Sequence, residues 1–221
     1  MDAVIRQFFN IEVMMQAAPL LLQGLWMTAQ LCAAVVGLGL VGGLLVALAS
    51  LSPRPLLRYP ALVYVDVFRA LPPLVLLVFV YSGLPFAGVE LSPFAAVVLA
   101  FLLNNSSYYG EVYRAGLQSV PAGQREAARA TGLTETQALF SVVLPQAVRN
   151  VLPDLLSNTI EVVKLTSLAS VVSLAELLYA ANMARSITYN ASPLVAAALI
   201  YLVLLWPLAR LVSRYQRRLA I

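Results

Sequence analysis

Two pairs of opposite charges sit three residues apart within stretches apolar enough to cross a membrane: Asp66 with Arg69, and Glu161 with Lys164. A charge at the bilayer centre costs about 2.5 to 3.5 kcal/mol on insertion scales. Such side chains must face a helix bundle or a wet cavity. A spacing of three puts both members of a pair on one helix face. Either they pair with each other and hold the fold, or Arg69, Glu161 or Lys164 meets the charged groups of a polar solute stripped of its water. Asn105 and Glu111 could join that surface, and polar packing between spans explains them equally well. Thr166 and Ser167, just after Lys164, either line the same path or cap a helix terminus. The chain has no His, which removes Ser-His and Cys-His nucleophiles and His-ligated metal sites. The single Cys32 sits in an apolar run and allows no intramolecular disulfide. No catalytic and no metal-binding residue is assigned.

The elements that must position these charges are membrane spans. The chain is 61% hydrophobic and 11% charged, against about 25% charged in a soluble domain. That composition implies an all-α integral membrane protein. Apolar stretches predict five spans, at about 20–51, 59–81, 93–114, 151–168 and 193–209. Gly37, Gly39, Gly42 and Gly43 thin one side of the first, as close packing in lipid requires. Residues 1–16 read either as a short amphipathic interfacial helix or as a frayed end. Ser173-Leu174-Ala175-Glu176 reads as a capping box opening a short apolar helix between the last two spans. Met1-Asp2-Ala3 lacks the basic start of a cleavable signal. Ten Lys and Arg fall on one set of segments (54–58, 114–149 and 210–218) and three on the other. The positive-inside rule then puts the N-terminus outside and the C-terminus inside. The net charge of +4 is read as cytoplasmic anchoring, not nucleic-acid binding.

Between the third and fourth spans lies a polar, helix-forming segment, 119–145. Its core reads EAARATGLTETQALFSVVLP from Glu126 to Pro145. Pro121 suits a first helical turn, and 122–130 are mostly good helix formers. Gly132 falls where a left-handed residue ends a helix. Thr134 with Gln137 predicts a second capping box, and Leu144-Pro145 a kink or boundary. Glu126 and Arg129 are spaced for an i,i+3 pair. Ala127, Ala128 and Ala130 leave the helix slender enough for a partner's groove. An ordinary structured loop between two spans is the alternative.

Glu126-Ala127-Ala128, then Gly132, then Val142-x-Leu144-Pro145 resembles the signature of ABC importer permeases, with Val142 where Ile is commoner. Phe68-Arg69-Ala70-Leu71-Pro72, Tyr108-x-x-Glu111-x-x-Arg114, Gly123-Gln124 and Lys164-x-Thr166-Ser167-Leu168 are similar to the polar amino-acid branch. The likeness covers about 20–215. Leu165 departs from the acidic residue many members carry there, and Asn104-Asn105-Ser106-Ser107 from small apolar residues.

The resemblance implies an ABC type I importer transmembrane fold with five spans and a cytoplasmic coupling helix. It implies coupling to ATPase subunits through Gly123, Glu126, Ala127, Ala128, Arg129, Gly132 and Leu133. It sets the Arg69 and Lys164 motifs in the central region, with Asn105, Glu161, Thr166 and Ser167 as further pathway candidates. The implied partners are ABC ATPase subunits, a second identical or related permease chain, an extracytoplasmic amino-acid-binding protein, a polar amino acid and membrane lipid. The implied location is a bacterial inner membrane. The chain has no Gly-x-x-x-x-Gly-Lys-Ser/Thr loop, so it is not expected to hydrolyse ATP itself, and the resemblance implies no cofactor bound by this chain. ATP and Mg are expected in the partner. An ion-gradient-driven carrier or channel would also fit the intramembrane charges, but does not require the 119–145 segment.

Overall fold

The computed structural model describes residues 2–219, with side chains through 217. Met1, Ala220 and Ile221 lie outside it, as does the side chain of Arg218, one of the ten basic residues counted above. Ten α-helices follow one another, and no strand occurs among the described residues.

Helix α1 (Asp2–Phe8) buries nothing and exposes Val4, Ile5 and Phe8. Phe9 and Asn10 separate it from α2 (Ile11–Ser50), the Asn10 Oδ1 accepting the Val13 amide at 3.3 Å. The stretch 2–16 is therefore a short helix plus the start of a long one. With 40 residues, α2 has twice the about 20 that a bilayer needs.

The stretch expected as the second span, about 59–81, is a broken helix. Helix α3 (Pro55–Ala70) stops at Leu71, which is extended at φ −78° and ψ 128°. A residue before proline is driven out of the α region by the ring, and Leu71 precedes Pro72. Pro72 in turn precedes Pro73 and is extended too, with ψ 130°. Helix α4 (Pro73–Val78) then widens into a π-turn (Phe79–Gly83) and tightens into a 3-10 turn (Leu84–Ala87).

Helix α5 (Pro93–Ser119) is followed by the short α6 (Ala122–Ala130) and α7 (Glu135–Ala138). A π-turn (Leu139–Val143) leads into α8 (Leu144–Leu165). The expected break at Leu144-Pro145 is thus a widened turn with helix on both sides. Proline clashes with the carbonyl four residues back in a regular helix, and the wider turn relieves that clash. A 3-10 stretch (Thr166–Val172) precedes α9 (Leu177–Thr188) and α10 (Ser192–Leu219).

The box expected at 173–176 is also corrected. Ser173 is left-handed at φ 58° and ends the 3-10 stretch. Glu176 is itself the N-cap of α9, its carboxylate accepting the Leu178 and Tyr179 amides at 2.8 Å each.

Three helical stretches are long and apolar enough to cross a membrane: Asp2–Ser50, Glu135–Val172 and Ser192–Arg217. A fourth joins them if the broken pair Pro55–Ala70 and Pro73–Ala87 is one span. Helix α5 has the length, at 27 residues, but its Asn104-Asn105-Ser106-Ser107 run leaves it too polar. The expected count of five is not reached on composition.

The chain forms two compact units. One holds the residues up to Gly37, Pro72–Phe101 and Ile160–Arg210. Its core packs Ala17 and Leu21 against Leu177, Ala180, Ala181, Ala184 and Ala197. Thr28 Oγ1 donates to the Gly24 carbonyl at 3.0 Å and accepts the Leu177 amide at 3.1 Å.

The other unit holds Leu38–Leu71, Leu102–Thr159 and the residues from Leu211 on. Here α2 meets α5 through small residues. A Cβ on Gly39 would stand 3.1 Å from the Tyr109 ring, and one on Gly42 3.0 Å from Ser106 Cβ. Gly37, expected on the same thin side, meets nothing within 4 Å. Tyr109 is fully buried and its hydroxyl lies 2.9 Å from Thr159 Oγ1.

Candidate functional site

The segment between α5 and α8 is built from local rules. Pro121 stands at the N-cap of α6, one position ahead of the first turn expected for it. At the other end the Gly132 amide donates to the Arg129 carbonyl at 3.0 Å, and Leu133 to Ala128 at 3.3 Å. That pair of bonds is a Schellman motif. It needs a left-handed residue, and Gly132 supplies it with φ +92°. The next helix starts at once. Thr134 Oγ1 accepts the Gln137 amide at 3.3 Å, and Gln137 Oε1 accepts the Thr134 amide at 2.9 Å. The expected capping box is there.

Helix rotation decides which residues α6 presents. Ala128 is its one buried residue. With about 3.6 residues per turn, Gly123, Glu126 and Ala130 fall on the opposite side, and all are exposed. Ala128 therefore packs inward. The expected Glu126–Arg129 pair does not form. Arg129 Nη1 instead reaches Glu135 Oε2 at 3.2 Å, and Arg125 pairs with Glu135 Oε1. The turn at Gly132 brings the Glu135 carboxylate between both guanidinium groups, and one acid between two cations competes better than Glu126 does. Arg125, Glu135, Thr136, Leu139 and Val143 line a cleft of about 160 Å³.

The intramembrane candidates divide between the two units. In the unit that includes Ile160–Arg210, Lys164 Nζ donates to Glu161 Oε1 at 2.7 Å, with both side chains more than half exposed. Thr166 Oγ1 donates to the Val163 carbonyl at 2.6 Å and Ser167 Oγ to that of Lys164 at 2.8 Å. Neither caps a helix start. They bond three residues back, where α8 tightens into the 3-10 stretch and leaves those carbonyls in reach. Thr166 is fully buried, whereas Ser167 joins Lys164, Ala198, Tyr201, Leu202 and Leu205 around a cavity of about 410 Å³.

In the other unit Asp66 and Arg69 are both exposed and form no ion pair. The Arg69 guanidinium instead lies over the Tyr108 ring, 5.3 Å from its centre, and the Tyr108 hydroxyl donates to the Arg69 carbonyl at 3.4 Å. A cation over an aromatic face is attracted by the ring quadrupole. Glu111 is taken up by Arg114, whose Nε donates to Oε2 at 2.9 Å. The polar run of α5 serves largely as packing between helices. Asn104 Nδ2 donates to the Phe68 carbonyl at 2.8 Å, and the Tyr64 hydroxyl lies 2.7 Å from Ser106 Oγ. Asn105 is only 1% exposed, beside Gly39.

Two features were not read from the sequence. One is Tyr108 as a platform for Arg69. The other is Glu176, fully buried, which also accepts the Tyr201 hydroxyl at 3.3 Å. Burial pushes its carboxyl above the ordinary value, against the pull of the Leu178 and Tyr179 amides. The signal was an acid immediately before an apolar helix, and Ser173 three residues earlier disguised it as the end of a box.

Comparison with known proteins places this geometry. The family described as "Binding-protein-dependent transport system inner membrane component" matches residues 39–221. The probable amino-acid ABC transporter permease YckA of Bacillus subtilis is 32% identical, over 94% of this chain and 91% of its own length. The arginine transport system permease ArtQ of the same organism is 34% identical over 91% and 93%. A crystal structure of an amino acid ABC transporter with histidines superposes with a TM-score of 0.88 at 36% identity, covering 95% of this chain and 98% of that one. The inward-facing MetNI methionine ABC transporter shares the fold at a TM-score of 0.73 and 23% identity.

Proposed function

This chain belongs to the family of binding-protein-dependent transport system inner membrane components, and from that premise we propose that it is the permease subunit of an ATP-driven importer of polar amino acids. The observation that carries the proposal is the 119–145 segment. A slender helix with Gly123, Glu126 and Ala130 outward, closed by a left-handed glycine, is a shape made to be held by another protein. Nothing in an ion-driven carrier calls for it.

In this reading ABC ATPase subunits grip α6 and use ATP with Mg, and a second permease chain, the same or related, completes the pathway. An extracytoplasmic binding protein delivers the amino acid. ATPase closure shifts the permease between outward- and inward-open states, with α6 as the link. Five spans, with the N-terminus outside and the C-terminus cytoplasmic, put α6 on the ATPase side. The broken α3–α4 pair and α5 then serve as the second and third spans. Arg69, Glu161 and Lys164 are each candidates to offer compensating charge to a zwitterion stripped of water. Asn105 and Thr166 are buried, and act in this scheme from behind the surface. Ser167 acts from the cavity wall.

The test is purification of the complex with its ATPase subunit and binding protein, followed by uptake in proteoliposomes. ATP-dependent uptake of a polar amino acid is the expected result. Uptake driven by an ion gradient without ATP would overturn the reading.

A further inference from the structure

We propose that Glu135 is a positioning residue for energy coupling, its carboxylate bracketing Arg125 and Arg129 across the Gly132 turn to set the angle at which α6 is offered to the ATPase subunit. This rests on the importer reading above. Three observations carry it.

Arg125 and Arg129 are one turn apart on the same flank of α6. Each takes a different oxygen of Glu135, the first residue of α7. The bracket therefore closes across the hinge at Gly132 and not within one helix. Next, α6 is lightly held, since Ala128 is its one buried residue. The Schellman bonds fix the turn, but they act close to the pivot. The arginines reach back to Glu135 from positions seven and three residues before Gly132, so they act with more leverage. Finally, the bracket lies on the flank, which leaves Gly123, Glu126 and Ala130 free for a partner.

Each pair is exposed, and one exposed pair shifts an equilibrium by about two- to fivefold at most. That is enough to change how often α6 stands at the coupling angle. Such pairs weaken with salt.

The test compares wild type, Glu135→Gln and the swapped double variant Arg125→Glu with Glu135→Arg. In the swap, the acid at 125 keeps one pair across the hinge, to the cation at 135, while Arg129 is left to pair within α6. Hydrogen exchange of the 122–133 amides is followed in the full chain in nanodiscs. Substrate imported per ATP is followed in the assembled complex at low and high salt. Glu135→Gln should speed exchange and lower import per ATP, each by about two- to fivefold. High salt should bring wild type to the level of the variant and leave the variant unmoved. The swap should recover part of the loss, which a merely structural effect at the start of α7 would not.

Unchanged exchange and unchanged import per ATP in Glu135→Gln would overturn the proposal. So would a swap that inserts normally and recovers nothing. Faster exchange in a complex whose wild type never couples ATP to uptake would overturn the coupling role and the importer reading together, while the bracket itself stood.

Discussion

Gly43 lies so close to Gly110 that a Cβ on Gly43 would stand 2.9 Å from the Gly110 amide nitrogen and 2.5 Å from Tyr109 Cβ. This is backbone against backbone, and no rotamer change relieves it. Gly43→Val should cost about 1–3 kcal/mol, as overpacking does, read as a lower unfolding midpoint of the purified protein. Gly37 has open space around it. Gly37→Ala should be neutral, or stabilise by up to about 1 kcal/mol through helix propensity. Equal losses at both positions would mean that close approach is not the reason for the glycines.

Gly132 makes a different demand. A Cβ there would meet nothing within 4 Å, so any penalty comes from its φ of +92°. A left-handed conformation costs a non-glycine residue about 1–2 kcal/mol, and more for a β-branched one. Gly132→Val should insert normally yet lose coupling between ATP hydrolysis and uptake. Wild-type uptake at equal protein level would rule out the hinge.

The charges of the proposed pathway are tested together. Arg69→Gln, Glu161→Gln and Lys164→Gln should each cut uptake of at least one substrate class by about tenfold, the worth of a lost charge-assisted hydrogen bond. Uptake of basic, acidic and neutral amino acids is measured beside ATPase-subunit binding. Unchanged uptake throughout would leave Lys164 and Glu161 as a structural pair, and Arg69 as a partner of Tyr108 alone.

Glu176 predicts a pH effect whose sign follows from its raised pKa. The folded state holds this proton more tightly than the unfolded chain does. Its contribution is fully present below the ordinary carboxylate value and is lost as pH rises through the folded value. Glu176→Gln mimics the protonated form. The stability of wild type relative to Glu176→Gln should therefore fall as pH rises from the ordinary carboxylate value through the raised folded value, measured as paired unfolding midpoints. A difference that rose with pH would show that the carboxylate is the form the α9 N-terminus prefers.

Orientation is checked by labelling cysteines placed at Leu84 and Arg217 in a Cys32→Ser background. Labelling from opposite faces of the membrane is expected. Labelling of both from one face would refute the proposed arrangement of spans.

Local signals were legible where neighbours in sequence decide the outcome. The left-handed Gly132, the Thr134–Gln137 box and the helical character of 122–130 all follow from propensity and hydrogen bonds within a few residues. So did the Glu161–Lys164 pair, one helical turn apart. Composition settled the helical membrane class, because this much apolar side chain has no other solvent. What it could not settle were choices made by distant partners. Glu126 and Arg129 have ideal spacing, but the Gly132 turn swings Glu135 into reach and Arg129 goes there. Asp66 and Arg69 have the same spacing, but Tyr108, far along the chain, offers Arg69 its ring. Asn104 and Ser106 depart from the family's small apolar residues, and the reason shows only when Phe68 and Tyr64 are found against them. Ser173 and Glu176 spell a box, but the box needs Glu176 three residues inside the helix. Burial against Gly24 and Tyr201 fixes it at the helix start instead. Sequence alone determined the helical class and the local caps. Tertiary structure decided which partner each polar group took, because a charge or hydrogen bond goes to the nearest geometry that satisfies it, and nearness is set by packing.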